Sequence, residues 1–214
     1  MKQLAVFVSG NGSNLQAIID AIESGRLQGV RIAVVVCNHK SAYGLERAVK
    51  HGIPTIYHPW QPYAHAGLTR EDYDRDLVAK LQAYPLDLIV LAGWMRIFSM
   101  AFLSQYRAVL NIHPALPGTF PGTHAIQDAW EAFGRGDIQH TGVMVHWAPD
   151  EAVDAGPVVR SAIVPIYPAD TLEELTERVH GVEHDLYVRA IAEVLEVPLL
   201  DGAPREGSKD GVTA

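Results

Sequence analysis

Asn111 and His113 stand two residues apart at the end of an apolar run, residues 108–112. If the chain is extended there, alternate residues share a face, so an amide and an imidazole project together. A third polar residue, Asp154, sits in a turn-rich stretch between two β-rich runs and could fold back over that face. Acyl transfer needs such a trio. When an amine attacks a carbonyl, the oxygen gains negative charge and the nitrogen must lose a proton. An Asn amide and a protonated His donate to the oxyanion, while a carboxylate holds the imidazolium and helps remove the proton. The amine can attack directly, so no Ser or Cys nucleophile is required. Asp154 beside His113 is expected to raise the histidine's pKa toward or above neutrality. Cys37, the only cysteine, has no motif around it and reads as a small buried residue at a strand end. His140 and His146, with Asp150 nearby, lack the further clustered ligands that a metal site needs, so no metal is expected.

The second constellation lies near the N-terminus, where S-G-N-G-S-N at 9–14 joins an apolar strand to an amphipathic helix. Such a turn leaves free backbone N–H groups at the positive end of the helix, where a phosphate is favoured. Gly10 and Gly12 allow close approach of the backbone, and Ser13 and Asn14 add side-chain donors. A dinucleotide fits poorly. Leu15 stands where the third glycine of that fingerprint belongs, and the second strand ends Cys37-Asn38-His39-Lys40 with no acid for a ribose hydroxyl. A single phosphate monoester fits better.

The elements that must position these residues alternate between strand and helix. Residues 4–8, 30–36, 55–57, 86–92 and 108–112 read as buried strands. Helices are expected near 15–25, 43–50, 69–83, 101–106 and 124–133, with 61–68 as a loop. Residues 114–122 form an irregular, proline-rich loop. Residues 141–166 read as an antiparallel hairpin with a long loop, and Thr171 with Glu174 as the capping box of a long last helix. This pattern predicts an α/β fold: a Rossmann-like open, mostly parallel sheet with helices on both faces and an antiparallel C-terminal elaboration.

At 214 residues, 48% hydrophobic and 20% charged, the chain suits one domain with a modest C-terminal addition. Lys and Arg number 17 against 25 Asp and Glu, a net charge of −8. An acidic surface repels nucleic acid and anionic membrane, so neither is an expected partner. An anionic substrate must then be captured locally, by backbone N–H groups and a few placed cations. No apolar run reaches membrane-spanning length and no signal-peptide core is present, so a cytoplasmic location is expected. The oligomeric state, monomer or homodimer, is left open.

Four segments together carry a resemblance: V-S-G-N-G-S-N-L-Q-A-I at 8–18, L-A-G-W-M-R-I at 91–97, N-I-H-P-A-L with F-P-G across 111–122, and D-x-G-P at Asp154. In order and spacing, over about residues 2–196, they resemble the folate-dependent formyltransferase family, in particular its phosphoribosylglycinamide formyltransferases. The resemblance implies one domain over 1–197, with a phosphate-binding half of about 1–110 and a folate and catalytic half of about 111–197. Residues 198–214 are expected to be a disordered tail. It implies formyl transfer from 10-formyltetrahydrofolate, a reduced folate used as co-substrate, to glycinamide ribonucleotide. Gly12, Ser13 and Asn14 would hold the phosphate, and Asn111, His113 and Asp154 would be the catalytic trio. Gly93, Met95, Arg96, Ile97 and Phe98 would line the folate pocket. Arg70 resembles a further phosphate or folate-side cation, and Glu183 a contact to the substrate amine or ribose. The chain departs from the family at Ala115-Leu116-Pro117-Gly118, by one extra residue between His146 and Asp154, and at His180, where a glutamine is common. Related alternatives are a formyltetrahydrofolate deformylase and a non-catalytic folate- or nucleotide-binding module.

Overall fold

Short apolar runs rich in β-branched residues become the strands of a single sheet. The computed structural model describes residues 1–200. In it β1 (Lys2–Val8), β2 (Val30–Cys37), β3 (Thr55–Tyr57), β4 (Leu88–Leu91) and β5 (Val109–His113) run parallel. β6 (His140–Trp147) pairs antiparallel with β5, and β7 (Val158–Pro165) antiparallel with β6. The strand order is β3-β2-β1-β4-β5-β6-β7. Seven helices complete the described residues: α1 (Ser13–Glu23), α2 (Tyr43–Lys50), α3 (Gln61–His65), α4 (Arg70–Leu81), α5 (Met100–Leu103), α6 (Ala125–Gly134) and α7 (Leu172–Leu195).

Alternation along β1 divides the core into two layers. Leu4, Val6 and Val8 join α1 and α7 on one face of the sheet, and Ala5 and Phe7 join α4 and α5 on the other. Both faces are covered, as a parallel sheet requires. The fold is the doubly wound, Rossmann-like arrangement expected from the sequence, with the hairpin β6–β7 as its antiparallel extension. Because β1 is flanked by β2 on one side and β4 on the other, the chain leaves these strands in opposite directions. The loops at their carboxyl ends part, and a crevice opens between them.

Local signals set several boundaries. Thr69 with Asp72, and Thr171 with Glu174, form complete capping boxes at the starts of α4 and α7, so each side chain satisfies the other residue's free N–H. Residues 61–65, expected as loop, form the helix α3, with a proline in its first turn. Five residues show no period, and the turn is held by packing: Tyr63 stacks on Trp60 and meets Tyr73 edge-on. Residues 198–200, expected to be disordered, are tied to the end of α1. Leu199 bridges Leu27, and Leu200 N–H donates to Arg26 O at 2.8 Å. The rest of the expected tail lies outside the described residues.

Tyr187 on α7 links helix and sheet. It is fully buried, and its hydroxyl donates to Leu110 O at 2.8 Å, with Leu91 O at 3.1 Å. Leu91 ends β4, and Leu110 is the second residue of its neighbour β5. Tyr187→Phe should therefore destabilise the fold by about 1–2 kcal/mol, the typical cost of leaving buried acceptors without a donor. Urea unfolding measures it, and an unchanged midpoint would show that the carbonyls find other donors.

Candidate active site

The glycine-rich loop owes its shape to close backbone approach. Gly12, immediately before α1, has φ 74°, which side chains resist. A Cβ built there would lie 2.8 Å from Gly44 Cα. Gly44 N–H donates to Gly10 O at 3.1 Å, so the loop is clamped against the start of α2. From behind, Arg47 donates to Asn11 O at 2.9 Å and to Asn11 Oδ1 at 3.1 Å. Residues 10–14 line a cavity of about 470 Å³ with Gly93, Met95, Ile112, Pro114, His180 and Glu183 among its other walls. Glu183 is buried, and loss of solvent pushes its carboxyl up to about 7, with a hydrogen bond from Asn14 pulling the other way. Asn14 Oδ1 is buried with no partner among the described residues.

The trio meets at one point. The carboxylate of Asp154 accepts from Asn111 Nδ2 at 3.3 Å and from Gly122 N–H at 2.9 Å, and its Oδ2 lies 3.3 Å from His113 Nδ1. Two backbone features deliver it there. Asp154 has φ 51°, the left-handed region. At Gly156, two residues on, a Cβ would fall 1.7 Å from Trp147 O. Only a glycine lets the chain turn back that sharply, folding the 148–157 loop over the end of β5.

Burial decides the charges. Desolvation pushes the His113 imidazole below its usual value, against the opposing pull of Asp154 and of the Phe120 carbonyl, which is 2.9 Å from Nε2. The expectation that Asp154 carries this pKa toward or above neutrality is corrected: Asp154 does pull it up, but a ring 4% exposed loses more from desolvation than one carboxylate returns. Asp154 is also desolvated, which raises it. Hydrogen bonds from His146 and Gly122 and the nearby imidazoles outweigh this, so the carboxyl sits below its ordinary range. At rest the site holds an ionised carboxylate beside a neutral ring. Both ring nitrogens face acceptors, so the surroundings favour a second proton once charge develops nearby.

His146 is the residue that sequence reasoning missed. In the sequence it stands out only as a histidine with His140 and Asp150 nearby. It is the register partner of Asn111 across β5 and β6. Its Nε2 is 3.1 Å from Asn111 Nδ2 and 3.6 Å from Asp154 Oδ1, and its Nδ1 donates to Trp147 O at 2.9 Å. The alternation of β6 puts His146 on one face, but only strand pairing says which residue it meets.

A second, narrower cleft adjoins the trio. Arg96, Ile97 and Phe98 line it with Trp94, Leu103, Asn111, His146, Asp150, Ala152, Val153 and Asp154. Gly93 and Met95, expected here, face the larger cavity instead. Gly93 (φ 85°) turns the chain at the end of β4, and Ser9 Oγ accepts from Met95 N–H at 2.9 Å, pulling that residue toward the glycine-rich loop. The Arg96 guanidinium lies over the rings of Trp60 and Tyr73, 4.6 and 4.8 Å from their centroids. Arg70 reaches neither lining. It is ion-paired with Glu151, which also accepts from Met100 N–H at 3.0 Å.

A glycine-rich loop at a helix start, a buried Asn–His–Asp trio and a Rossmann-like sheet define the class. Residues 2–191 match the formyl transferase family, and the chain belongs to it. Its relatives include proteins named phosphoribosylglycinamide formyltransferase. The one from Schizosaccharomyces pombe is 45% identical over 90% of this chain and 96% of its own length. The one from Escherichia coli is 44% identical over 88% and 85%. Among solved structures, phosphoribosylglycinamide formyltransferase from Bacillus halodurans superposes with TM-score 0.83 at 35% identity, covering 91% of this chain and 95% of that one. Glycinamide ribonucleotide transformylase 1 from Geobacillus kaustophilus gives 0.83 at 39%, covering 91% and 99%.

Asp154→Asn removes the anion that opposes desolvation at His113. The histidine should then titrate lower still, as followed by NMR of its ring protons. An unchanged or higher value would mean that the Phe120 carbonyl, not Asp154, sets the ring's charge.

Proposed function

We propose that this chain transfers the formyl group of 10-formyltetrahydrofolate to the glycinamide amine of glycinamide ribonucleotide, by direct acyl transfer, in de novo purine biosynthesis. One observation carries the reading: Asn111, His113 and Asp154 converge where Asn111 and Asp154 line a cleft with aromatic and apolar walls, while Ile112 and Pro114, on either side of His113, line the cavity of the glycine-rich loop. The family and its relatives support the same chemistry.

Each group has a role in this reading. Gly12, Ser13 and Asn14 hold the phosphate with backbone and side-chain donors at the start of α1. Glu183, across the cavity, meets the ribose or the amine. Asn111 and His113 donate to the formyl oxygen as it becomes an oxyanion, which favours the imidazolium. Asp154, already ionised, steadies that cation and helps take the proton leaving the amine. His146 keeps the Asn111 amide aimed. The donor's ring system fits the narrow cleft by chemistry: Trp94, Phe98 and Leu103 offer apolar walls, and the buried Trp94 Nε1 has no acceptor among the described residues. The cleft has a volume of about 90 Å³. Arg96, Ile97 and Phe98 line it, Gly93 and Met95 line the larger cavity, and Arg70 is held by Glu151. The same reading makes the chain a cytoplasmic enzyme of small molecules, acting as monomer or homodimer without nucleic-acid or membrane partners. Among the described residues no helix is long and apolar enough to cross a membrane.

The assay is incubation with 10-formyltetrahydrofolate, with and without glycinamide ribonucleotide. Folate should be consumed only with the ribonucleotide; consumption without it marks a hydrolase, and binding without turnover a sensor. His113→Ala should lower kcat by about two to three orders of magnitude, the usual loss for a donor to a developing oxyanion. Near-normal turnover would remove it from the mechanism. Asn14→Ala should raise the ribonucleotide KM far more than the folate KM. Equal effects would mean that the loop is not the phosphate site.

A further inference from the structure

The larger cavity is built for an anion yet has no permanent cation in its walls. Among the described residues its lining includes no Lys or Arg; beyond the glycine-rich loop its polar side chains are Thr123, His124, Gln127, Thr176, His180 and Glu183. Arg47 stands behind the loop and is occupied there, donating to both oxygens of Asn11 and to Gln16 Oε1 at 3.0 Å. A phosphate monoester carries about −1.5 to −2 charges at pH 7, whereas a helix start supplies only about +0.5. The site is short of positive charge, and an ionised Glu183 would deepen the deficit.

We propose that His180 is the cation of this site and acquires its proton as the phosphate binds, so that capture of the ribonucleotide is coupled to proton uptake. The inference rests on the reading of this cavity as the phosphate site. His180 Nε2 lies 3.8 Å from Glu183 Oε2, on the next turn of α7. Around it stand Glu183 and His184 on its own helix and His124 at the start of α6; Asp20 on α1 and Arg47 on α2 act on His184. Desolvation holds the free His180 below its usual pKa, so the ring is neutral at neutral pH. A phosphate dianion beside it favours the charged ring and raises the pKa in the complex. Binding is then strongest below that raised pKa and weakens as pH climbs through it, by up to about tenfold in Kd per pH unit for one linked proton. Glu183, at about 7, is the second group that could take up the proton, and the test separates the two.

Glycinamide ribonucleotide and ribose 5-phosphate are titrated calorimetrically near pH 7.5, where the phosphate is already a dianion, in buffers of different ionisation heat. The wild-type chain should take up about half a proton or more with either ligand. His180→Gln, which keeps an N–H donor and a good helix former, should bind with little or no uptake and with a Kd that no longer rises from pH 7 to 8.5. Glu183→Gln should keep the uptake. Full uptake in His180→Gln, or its loss in Glu183→Gln alone, would overturn the assignment. A wild-type chain that binds ribose 5-phosphate far better than ribose, but with no proton exchange, would overturn it while leaving the phosphate site in place. Equal affinity for ribose and ribose 5-phosphate would remove the phosphate site itself.

Discussion

An ionised carboxylate in a poorly solvated place must be surrounded by donors, and Asp154 imposes that demand on three otherwise separate segments. The end of β5 supplies Asn111 and His113, the proline-rich loop supplies the Gly122 N–H, and β6 supplies His146. An unpaired buried charge costs several kcal/mol, so these segments hold their mutual positions or the carboxylate does not stay. The same contacts that satisfy Asp154 aim the amide and the imidazole. Positioning and electrostatics are one requirement here.

That arrangement also explains why burial works for acyl transfer rather than against it. Desolvation keeps His113 neutral at rest, while Asp154 and the Phe120 carbonyl both face its ring nitrogens as acceptors. The imidazolium is therefore disfavoured only while nothing nearby needs it. Charge appearing on a carbonyl oxygen in this low-dielectric space interacts strongly with the ring and reverses the balance.

On an acidic chain the two cavities divide the binding problem. The larger one is walled by the glycine-rich loop at the start of α1 and by the titratable His124, His180 and Glu183. The narrower one offers aromatic and aliphatic surface, with Asp74 bracing its far end by accepting from the Ser99 N–H and hydroxyl, both at 2.6 Å. Met95 and Gly93 line the larger one.

The sequence alone determined the sheet class, the capping boxes at Thr69 and Thr171, the glycine-rich loop and the Asn-x-His pair, because each is written in local spacing: period two, period 3.6, or a turn that only glycine fits. It could not place His146, since antiparallel register joins residues 35 apart through hydrogen bonds that no local pattern encodes. Nor could it give the sign of the shift at His113, where desolvation depends on everything packed around the ring, or divide residues 93–98 between two cavities. The five residues of α3 and the bridge at Leu199 escaped for a related reason: both are held by packing and pairing with distant segments. Tertiary structure decided burial and register, and with them which charges the site can hold.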